Sequence, residues 1–321
     1  MAARAWLWVT AALTCAAFAL AAALAPVAAA PSVSPGQALA RVLFIGSSVH
    51  VASTGWLYSL RDVRSYAAAR PLRYLWLPVA LIAAAALLAV ALEPTVLTWL
   101  LLPFFAWQFF HFTKQNLGMV ALAASSISVS SLSNAERRAI IAAGLAGIAG
   151  LAAHPALLQL PVNPRLGPLF PLAAAAFGIT QIAGVTQLLR RPRQNRPSGF
   201  TTMYLIALLF SLPVFVFSEP YAAVSEMTIA HGMQYLLLMG LVAAGSGRIA
   251  AVAMLCNVAL IGGLAPERAS HLHGAGPAGR LLFGAYLGVV MAHFVIDACV
   301  WRLRDQFPRA FLARRIPYLV N

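Results

Sequence analysis

Long apolar runs, most of them close to 20 residues, constrain this chain more than any other feature of its sequence. A helix needs about 20 apolar residues to cross the hydrocarbon core of a bilayer. Only 9% of the residues are charged, whereas a soluble domain has about 25%. The sequence therefore predicts an all-α, polytopic integral membrane protein, a bundle of about ten transmembrane helices. The predicted spans cover residues 5–25, 39–60, 72–92, 96–123, 139–153, 169–189, 200–217, 221–245, 249–264 and 281–301.

Residues 1–30 are predicted to form the first transmembrane helix or an uncleaved signal anchor. The alanine- and proline-rich stretch at 25–31 resembles a signal-peptidase site, so cleavage is the alternative. However, the apolar run before it is longer than the 7–15 residues usual for a signal peptide. Residues 31–321 are predicted to be a single membrane-embedded helical domain, because no long polar linker divides them.

The net charge of +14 comes from 22 basic residues against 8 acidic ones. Most arginines stand in short loops between apolar runs, where the positive-inside rule places them. The charge therefore reflects contact with membrane lipids, and no nucleic-acid partner is expected. The loops after the third and seventh spans carry Glu93 and Glu219 and no arginine. This pattern predicts an inner (plasma) membrane protein of bacterial type, with both termini cytoplasmic.

The second, fourth, eighth and tenth spans each carry one histidine near their middle. These residues are His50, His111, His231 and His293. The four spans run in the same direction in the predicted topology, so the side chains are expected at similar depth. Ionisable groups inside a bilayer are costly and usually functional, and imidazole suits iron, copper and zinc. The prediction is one metal site, with Fe(II) favoured over copper and zinc; the alternative is four unrelated histidines that hydrogen-bond between helices.

Polar residues one helical turn beyond these histidines are candidates for catalysis or for orienting the imidazoles. They are Thr54, Gln115, Tyr235 and Asp297. Asp297 is expected to accept an imidazole N–H or to bind the metal, since a metal-bound histidine usually donates its second N–H to a carboxylate or carbonyl. Tyr235 and Gln115 are expected to shape the pocket for oxygen or substrate. Glu226, one to two turns from His231 on the same span, is a further catalytic candidate, and Gln234 lies beside Tyr235 on that span. Each of these polar residues could instead join neighbouring helices.

Four other polar residues have simpler interpretations. His154, His271 and His273 fall in predicted loops beside proline or glycine and are expected to be solvated. Lys114, the single lysine of the chain, follows His111 within an apolar run. It is expected to extend its ammonium group towards the membrane surface or to pair with a carboxylate such as Asp297.

Short motifs around the histidines carry a family resemblance. The first motif is Phe44-Ile45-Gly46, four residues before His50. In the second, Phe110 and Phe112 stand on either side of His111. The third is the stretch from Ala292 to Asp297, which contains His293. In order and context these motifs resemble, remotely, those of the Brp/Blh family of membrane carotene 15,15′-dioxygenases. That family consists of multi-spanning helical proteins that use non-haem iron and dioxygen to cleave a carotenoid into retinal. The resemblance implies that His50, His111 and His231 are iron ligands, with His293 a further candidate.

The chain departs from the motifs of that family at three places. Thr54 stands where the first motif has aspartate, and Asn116 follows Gln115 where the second motif ends in aspartate. Tyr235 replaces the second of two histidines that the family has four positions apart on one helix, at His231 here. The resemblance therefore implies a shared metal scaffold more than it implies carotene as the substrate.

The sequence thus predicts a membrane-embedded, non-haem iron oxygenase of the carotene dioxygenase type. Its substrates would be O2 and a lipophilic molecule such as a carotenoid or another isoprenoid. The main alternative is a proton or metal-ion transporter that uses intramembrane His, Asp and Glu side chains. Transporters often contain inverted repeats, and this sequence has no clear internal repeat. A haem protein with paired histidine ligands and a non-catalytic scaffold are two further alternatives.

Overall fold

A computed structural model describes residues 2–28, 45–219 and 221–320, and every regular element in these ranges is helical. The all-α prediction is therefore confirmed for the described part of the chain. The α-helices are Ala2–Ala28 (α1), His50–Trp56 (α2), Arg61–Ala68 (α3), Leu77–Ala91 (α4), Pro94–Ser126 (α5), Asn134–Ala153 (α6), Leu169–Arg190 (α7), Ser198–Leu209 (α8), Pro213–Val216 (α9), Glu226–Gly245 (α10), Arg248–Cys256 (α11), Gly262–Ser270 (α12), Pro277–Val300 (α13) and Gln306–Arg315 (α14). Short π-helical turns cover Ile45–Val49, Leu72–Trp76, Tyr221–Ser225 and Asn257–Ile261.

Seven helical segments of the described chain have the length and the apolar composition needed to cross a membrane. They are Ala2–Leu20, Leu72–Ala91, Pro94–Ser126, Leu169–Arg190, Ala223–Gly245, Ala251–Ser270 and Pro277–Val300. The predicted spans 39–60, 139–153 and 200–217 have no counterpart among them. Residues 39–44 lie outside the described residues, α8 has only 12 residues, and α6 begins with a charged first turn. A count of about ten spans stays a prediction.

The described residues divide into two compact units, which are treated separately below. Unit 1 contains residues 2–28, 101–219, 221–234 and 317–320. Unit 2 contains residues 45–100 and 235–316. Helices α5 and α10 each contribute residues to both units. The prediction of a single domain over residues 31–321 stays a prediction.

In unit 1, helix α6 begins at a capping box and packs through glycines. The Ser133 hydroxyl accepts the Glu136 backbone N–H, and the Glu136 carboxylate accepts the Ser133 N–H, which satisfies donors that a helix start leaves unpaired. A Cβ at Gly147 would lie 2.5 Å from the Ser211 Cβ. Glycine at this position therefore lets the segment after α8 approach the backbone of α6.

In unit 2, helix α13 packs along α4 through a Gly-x-x-x-Gly pair. A Cβ at Gly284 would lie 2.6 Å from the Ala89 Cβ, and one at Gly288 would collide with the backbone of Ile82. Small residues allow such close approach, which is the usual basis of helix association in membranes. This contact fixes the position of α13, the helix that carries His293 and Asp297.

Three helical segments differ from the sequence-based expectations. Helix α12 continues to Ser270, although residues 265–280, between two predicted spans, were expected to form a loop. Pro266 removes one backbone hydrogen bond from the helix. The helix still forms, because Ala265, Glu267 and Ala269 have good helix propensity. Helices α3 and α14 occupy the arginine-rich stretches after the second and tenth predicted spans. A search for long apolar runs cannot detect them, because their charged residues lower the mean hydropathy.

Candidate metal centre

The structure places His50 at a change of helix type in unit 2. The π-helical turn Ile45–Val49 ends directly before it, and His50 is the first residue of α2. Such π turns occur frequently at functional sites. The side chain is buried at 3% exposure, and the Ser53 hydroxyl donates to the His50 carbonyl at 2.6 Å. The local fold thus holds the imidazole in the interior.

His293 and Asp297 form a buried pair on α13, one turn apart. The His293 Nε2 lies 3.6 Å from the Asp297 Oδ2, and both residues are at most 5% exposed. The helix spacing that predicted a shared face is therefore observed. At this distance both atoms are close enough to bind the same ion, since metal–ligand bonds of about 2.0–2.2 Å place neighbouring ligand atoms roughly 3 Å apart or more.

His50 and His293 lie side by side within unit 2. Their ring centroids are 4.9 Å apart with the rings nearly perpendicular, and a ligand nitrogen of one lies within 4.8 Å of a ligand nitrogen of the other. His293 therefore lies beside both a second imidazole and the carboxylate of Asp297. This set of donors is typical of metal centres with open coordination positions.

Two hydroxyl groups connect the imidazole of His293 to the carboxylate of Asp297. The Thr54 Oγ1 lies 2.6 Å from the His293 Nδ1 and 2.8 Å from the Tyr235 hydroxyl. The Tyr235 hydroxyl donates to the Asp297 Oδ1 at 3.0 Å, and Thr54 reaches the same oxygen at 3.4 Å. All four side chains belong to unit 2 and are buried.

In the ionised form that binds a metal, the Asp297 carboxylate only accepts hydrogen bonds. Tyr235 gives its proton to Asp297, and Thr54 gives its single proton to Tyr235 or to Asp297. In this arrangement Thr54 accepts the bond from His293, and the imidazole carries its proton on Nδ1. Its Nε2 is left as the basic nitrogen, which is the atom that faces Asp297 and that a metal would bind.

Aromatic rings enclose this group of side chains. The ring of Tyr235 contacts His50 and His293 edge-on, with centroids 5.8 and 5.4 Å away. The ring of Trp301 also lies edge-on to Tyr235, with centroids 6.2 Å apart. The site is therefore bounded by apolar surface that keeps bulk water away from the donor atoms.

Unit 1 contains the other two histidines as a second buried pair. The ring centroids of His111 and His231 are 5.0 Å apart and nearly perpendicular. Phe112 stacks on His231 at 4.1 Å. Both imidazoles are buried, His231 completely. The structure thus brings these two residues together.

An amide network lies beside that pair. The Gln115 side chain donates to the His231 carbonyl at 2.9 Å and to the Gln234 Oε1 at 3.2 Å. Gln234 in turn donates to the Thr14 hydroxyl at 2.9 Å and to the Asn116 Oδ1 at 3.3 Å. The sequence analysis did not consider Thr14, and it named Asn116 only as a departure from a family motif. The one feature of the sequence that could have indicated a role for either residue is a polar side chain inside an apolar run.

Glu226 and Lys114 lie in contrasting surroundings. Glu226 opens α10 and is 1% exposed, and its Oε1 finds no hydrogen-bond partner among the described residues. Lys114 is exposed, in keeping with an ammonium group that extends away from the helix. The structure therefore places His293 beside His50 and beside Asp297 in unit 2, and it places His111 beside His231 in unit 1. A single centre of all four histidines stays a prediction.

No protein-family model, no curated protein and no solved structure matches this chain. The resemblance to the Brp/Blh family therefore stays a prediction from the motifs.

Proposed function

We propose that this protein is a membrane-embedded, metal-dependent oxygenase that oxidises or cleaves a lipophilic substrate with O2. The observation that carries the proposal is that His293 lies beside both His50 and Asp297 inside unit 2. Two histidines and one carboxylate with open positions are the usual ligands of non-haem Fe(II) oxygenases. Fe(II) is accordingly the proposed metal, and copper and zinc are the alternatives that metal analysis separates.

The donor atoms suit a divalent metal in an apolar protein interior. Ligand nitrogens must be unprotonated to bind a metal, and an imidazole proton on Nδ1, directed to Thr54, leaves the His293 Nε2 in this state. One carboxylate neutralises part of the charge of a divalent ion, which is costly to bury unpaired. Bound iron would supply the capacity to activate O2. The remaining contributions come from the chain itself.

The surrounding side chains orient the ligands and exclude water. Tyr235 holds the Asp297 Oδ1, so that Oδ2 faces the His293 Nε2. The rings of Tyr235 and Trp301 limit access of water, which protects reactive species from side reactions. These are the tasks that an oxygenase site requires of its protein.

A lipophilic substrate fits the composition of the helices. Seven described segments are apolar and long enough for a bilayer, so a substrate dissolved in the membrane would have direct access to them. A carotenoid or another isoprenoid is the class that we propose. The proposed location is the inner (plasma) membrane with both termini cytoplasmic, on the basis of the arginine-rich loops.

Metal analysis of detergent-purified protein tests the proposal. After anaerobic reconstitution with Fe(II), we expect about one iron per chain in the wild type. His50→Ala, His293→Ala and Asp297→Asn should each lose it. His271→Ala and Asp305→Asn are matched controls, since these side chains are 69% and 38% exposed. Absence of stoichiometric metal from the wild type, or its retention in all three site variants, would overturn the metal centre.

Oxygen uptake tests the activity separately. Iron-loaded protein in lipid nanodiscs should consume O2 when a carotenoid or isoprenoid is added, and Asp297→Asn should not. Bound iron without substrate-dependent oxygen uptake across a panel of such lipids would contradict the oxygenase proposal but not the metal site.

A proton transporter is the second candidate, and one observation favours it. The connected side chains of His293, Thr54, Tyr235 and Asp297 form an unbroken hydrogen-bonded path, of the kind that relays protons in membrane proteins. Reconstitution into vesicles with an internal pH dye separates the two functions. Proton flux that Asp297→Asn abolishes, in protein without bound metal, would favour transport.

A further inference from the structure

An open, basic cleft lies in unit 2, outside the metal centre. Its volume is about 640 Å³, and its lining comes from helices α3 and α14 together with residues that follow α3. The side chains that matter below are Arg61, Asp62, Tyr66, Arg70, Phe307 and Arg314. Neither the metal centre nor the proposed oxygenase activity gives this cleft a role.

The cleft carries more positive charge than its own carboxylate balances. Three arginines and one aspartate line it. Asp62 already pairs with Arg314 at 3.0 Å, and it also pairs with Arg315 at 3.3 Å. No described carboxylate forms an ion pair with Arg61 or Arg70. Two guanidinium groups are therefore available to an anion.

Stacked aromatic rings form one wall of the cleft. Tyr66 and Phe307 lie parallel with centroids 3.8 Å apart, and the Arg70 guanidinium sits 4.0 Å from the Tyr66 ring centroid. This stacking holds the guanidinium plane in place. Arginine fixed in this way is suited to bind phosphate with two parallel hydrogen bonds.

The chain around the cleft indicates that it lies at the membrane surface. Directly after Arg70, the segment Leu72–Ala91 is a candidate membrane span. Leu72, Leu75 and Trp76 at its start are 71%, 50% and 60% exposed. Exposed apolar residues and tryptophan beside arginine are typical of the boundary between lipid tails and head groups.

We propose that this cleft binds the phosphodiester head group of an anionic membrane lipid. Arg61, Arg70 and Arg314 would contact the phosphate, while the exposed leucines and Trp76 would contact the acyl chains. Anionic lipids are concentrated on the cytoplasmic leaflet, where basic segments next to membrane spans bind them. Lipid binding at this cleft is independent of the metal centre.

Native mass spectrometry of the detergent-solubilised full chain tests the proposal. Phosphatidylglycerol and phosphatidylcholine with the same short acyl chains are the two probes. We expect phosphatidylglycerol to bind at least roughly tenfold more tightly, since each arginine near an anionic lipid contributes several-fold in affinity. Equal binding of the two lipids would overturn the proposal without the use of any variant.

Charge-matched variants then locate the site. Arg61→Gln with Arg70→Gln should lower the affinity for phosphatidylglycerol by roughly tenfold or more. Arg138→Gln with Arg190→Gln removes the same charge from exposed positions in unit 1 and should leave the affinity unchanged. An equal loss in both double variants would show a non-specific charge effect and would contradict the cleft as the site.

Glycerol phosphate separates a lipid from a soluble phosphate compound. It carries the phosphate group without acyl chains, and we expect it to compete only weakly with phosphatidylglycerol. Competition as strong as that of the lipid itself would overturn the assignment to a membrane lipid.

Discussion

The Thr54 Oγ1 lies 2.6 Å from the Nδ1 of His293, and the two residues come from separate helices of unit 2, α2 and α13. When Asp297 is ionised for metal binding, Thr54 can pass its own proton towards Tyr235 or Asp297 and accept the imidazole proton on Nδ1. The nitrogen on the opposite side of the ring is then basic and faces the Asp297 carboxylate. A single hydroxyl group thus prepares His293 as a ligand.

Thr54→Val removes this hydroxyl group with little change in volume. We expect the affinity for iron to fall by roughly 10–100-fold, which is the usual effect of losing a partner that orients a metal-bound histidine. Thr54→Ser keeps the hydroxyl group and should keep most of the affinity. Competition with a chelator of known affinity measures both variants. Equal affinities of the valine and serine variants would contradict this role for Thr54.

Tyr235→Phe should have a smaller effect than Thr54→Val. Without the phenol, the Thr54 hydroxyl still has the Asp297 Oδ1 at 3.4 Å as an acceptor, so the proton on His293 stays on Nδ1. The same chelator competition should therefore show only a several-fold loss of iron affinity, since the loss of one neutral hydrogen bond costs about 0.5–1.5 kcal/mol. A loss larger than that of Thr54→Val would mean that Tyr235, not Thr54, fixes the imidazole.

Residues of the candidate site could be predicted from spacing along single helices, but their partners could not. The pair of His293 and Asp297 follows from one helical turn on α13 and is observed. Thr54 was expected to serve the histidine of its own span, His50; the structure shows it at His293 instead. Gln115 likewise binds the His231 carbonyl. Contacts between helices depend on packing, which spacing within one helix does not contain.

The same limit applies to the fold. Seven of the ten predicted apolar runs coincide with helical segments of the described chain that are long and apolar enough for a membrane, because length and hydropathy are properties of each segment alone. Helices α3 and α14 were missed, since their stability comes from contacts such as the stacking of Tyr66 on Phe307. Sequence periodicity gave no indication that these two helices meet.

Gly288→Ala should destabilise the protein, because a Cβ at this position collides with the backbone of Ile82. Backbone atoms cannot rotate away, so α13 would have to move from α4, and such overpacking costs about 1–3 kcal/mol. Gly178→Ala is the matched control, as a Cβ there meets nothing within 4 Å. Thermal unfolding in detergent, followed by circular dichroism, should show a lower midpoint for Gly288→Ala only. Equal midpoints would contradict the close contact.

A buried ion pair in unit 1 gives the last prediction. The Arg191 Nε lies 2.5 Å from the Glu136 Oε1, and their side chains are 8% and 2% exposed. The same guanidinium donates to the carbonyls of Ser130 and Ser131 at 2.9 and 2.7 Å. Arg191 therefore joins the end of α7 to the loop before α6.

Arg191→Met leaves the Glu136 carboxylate buried without its partner, and we expect a loss of about 3–5 kcal/mol in the free energy of unfolding. Adding Glu136→Gln should recover part of this loss, because the uncompensated charge disappears while a glutamine can still complete the capping box with Ser133. Arg190→Met, at the exposed neighbouring position, should have little effect. Denaturant titration in detergent measures all three. If the double variant were less stable than Arg191→Met alone, the buried charge would not be the cause of the loss.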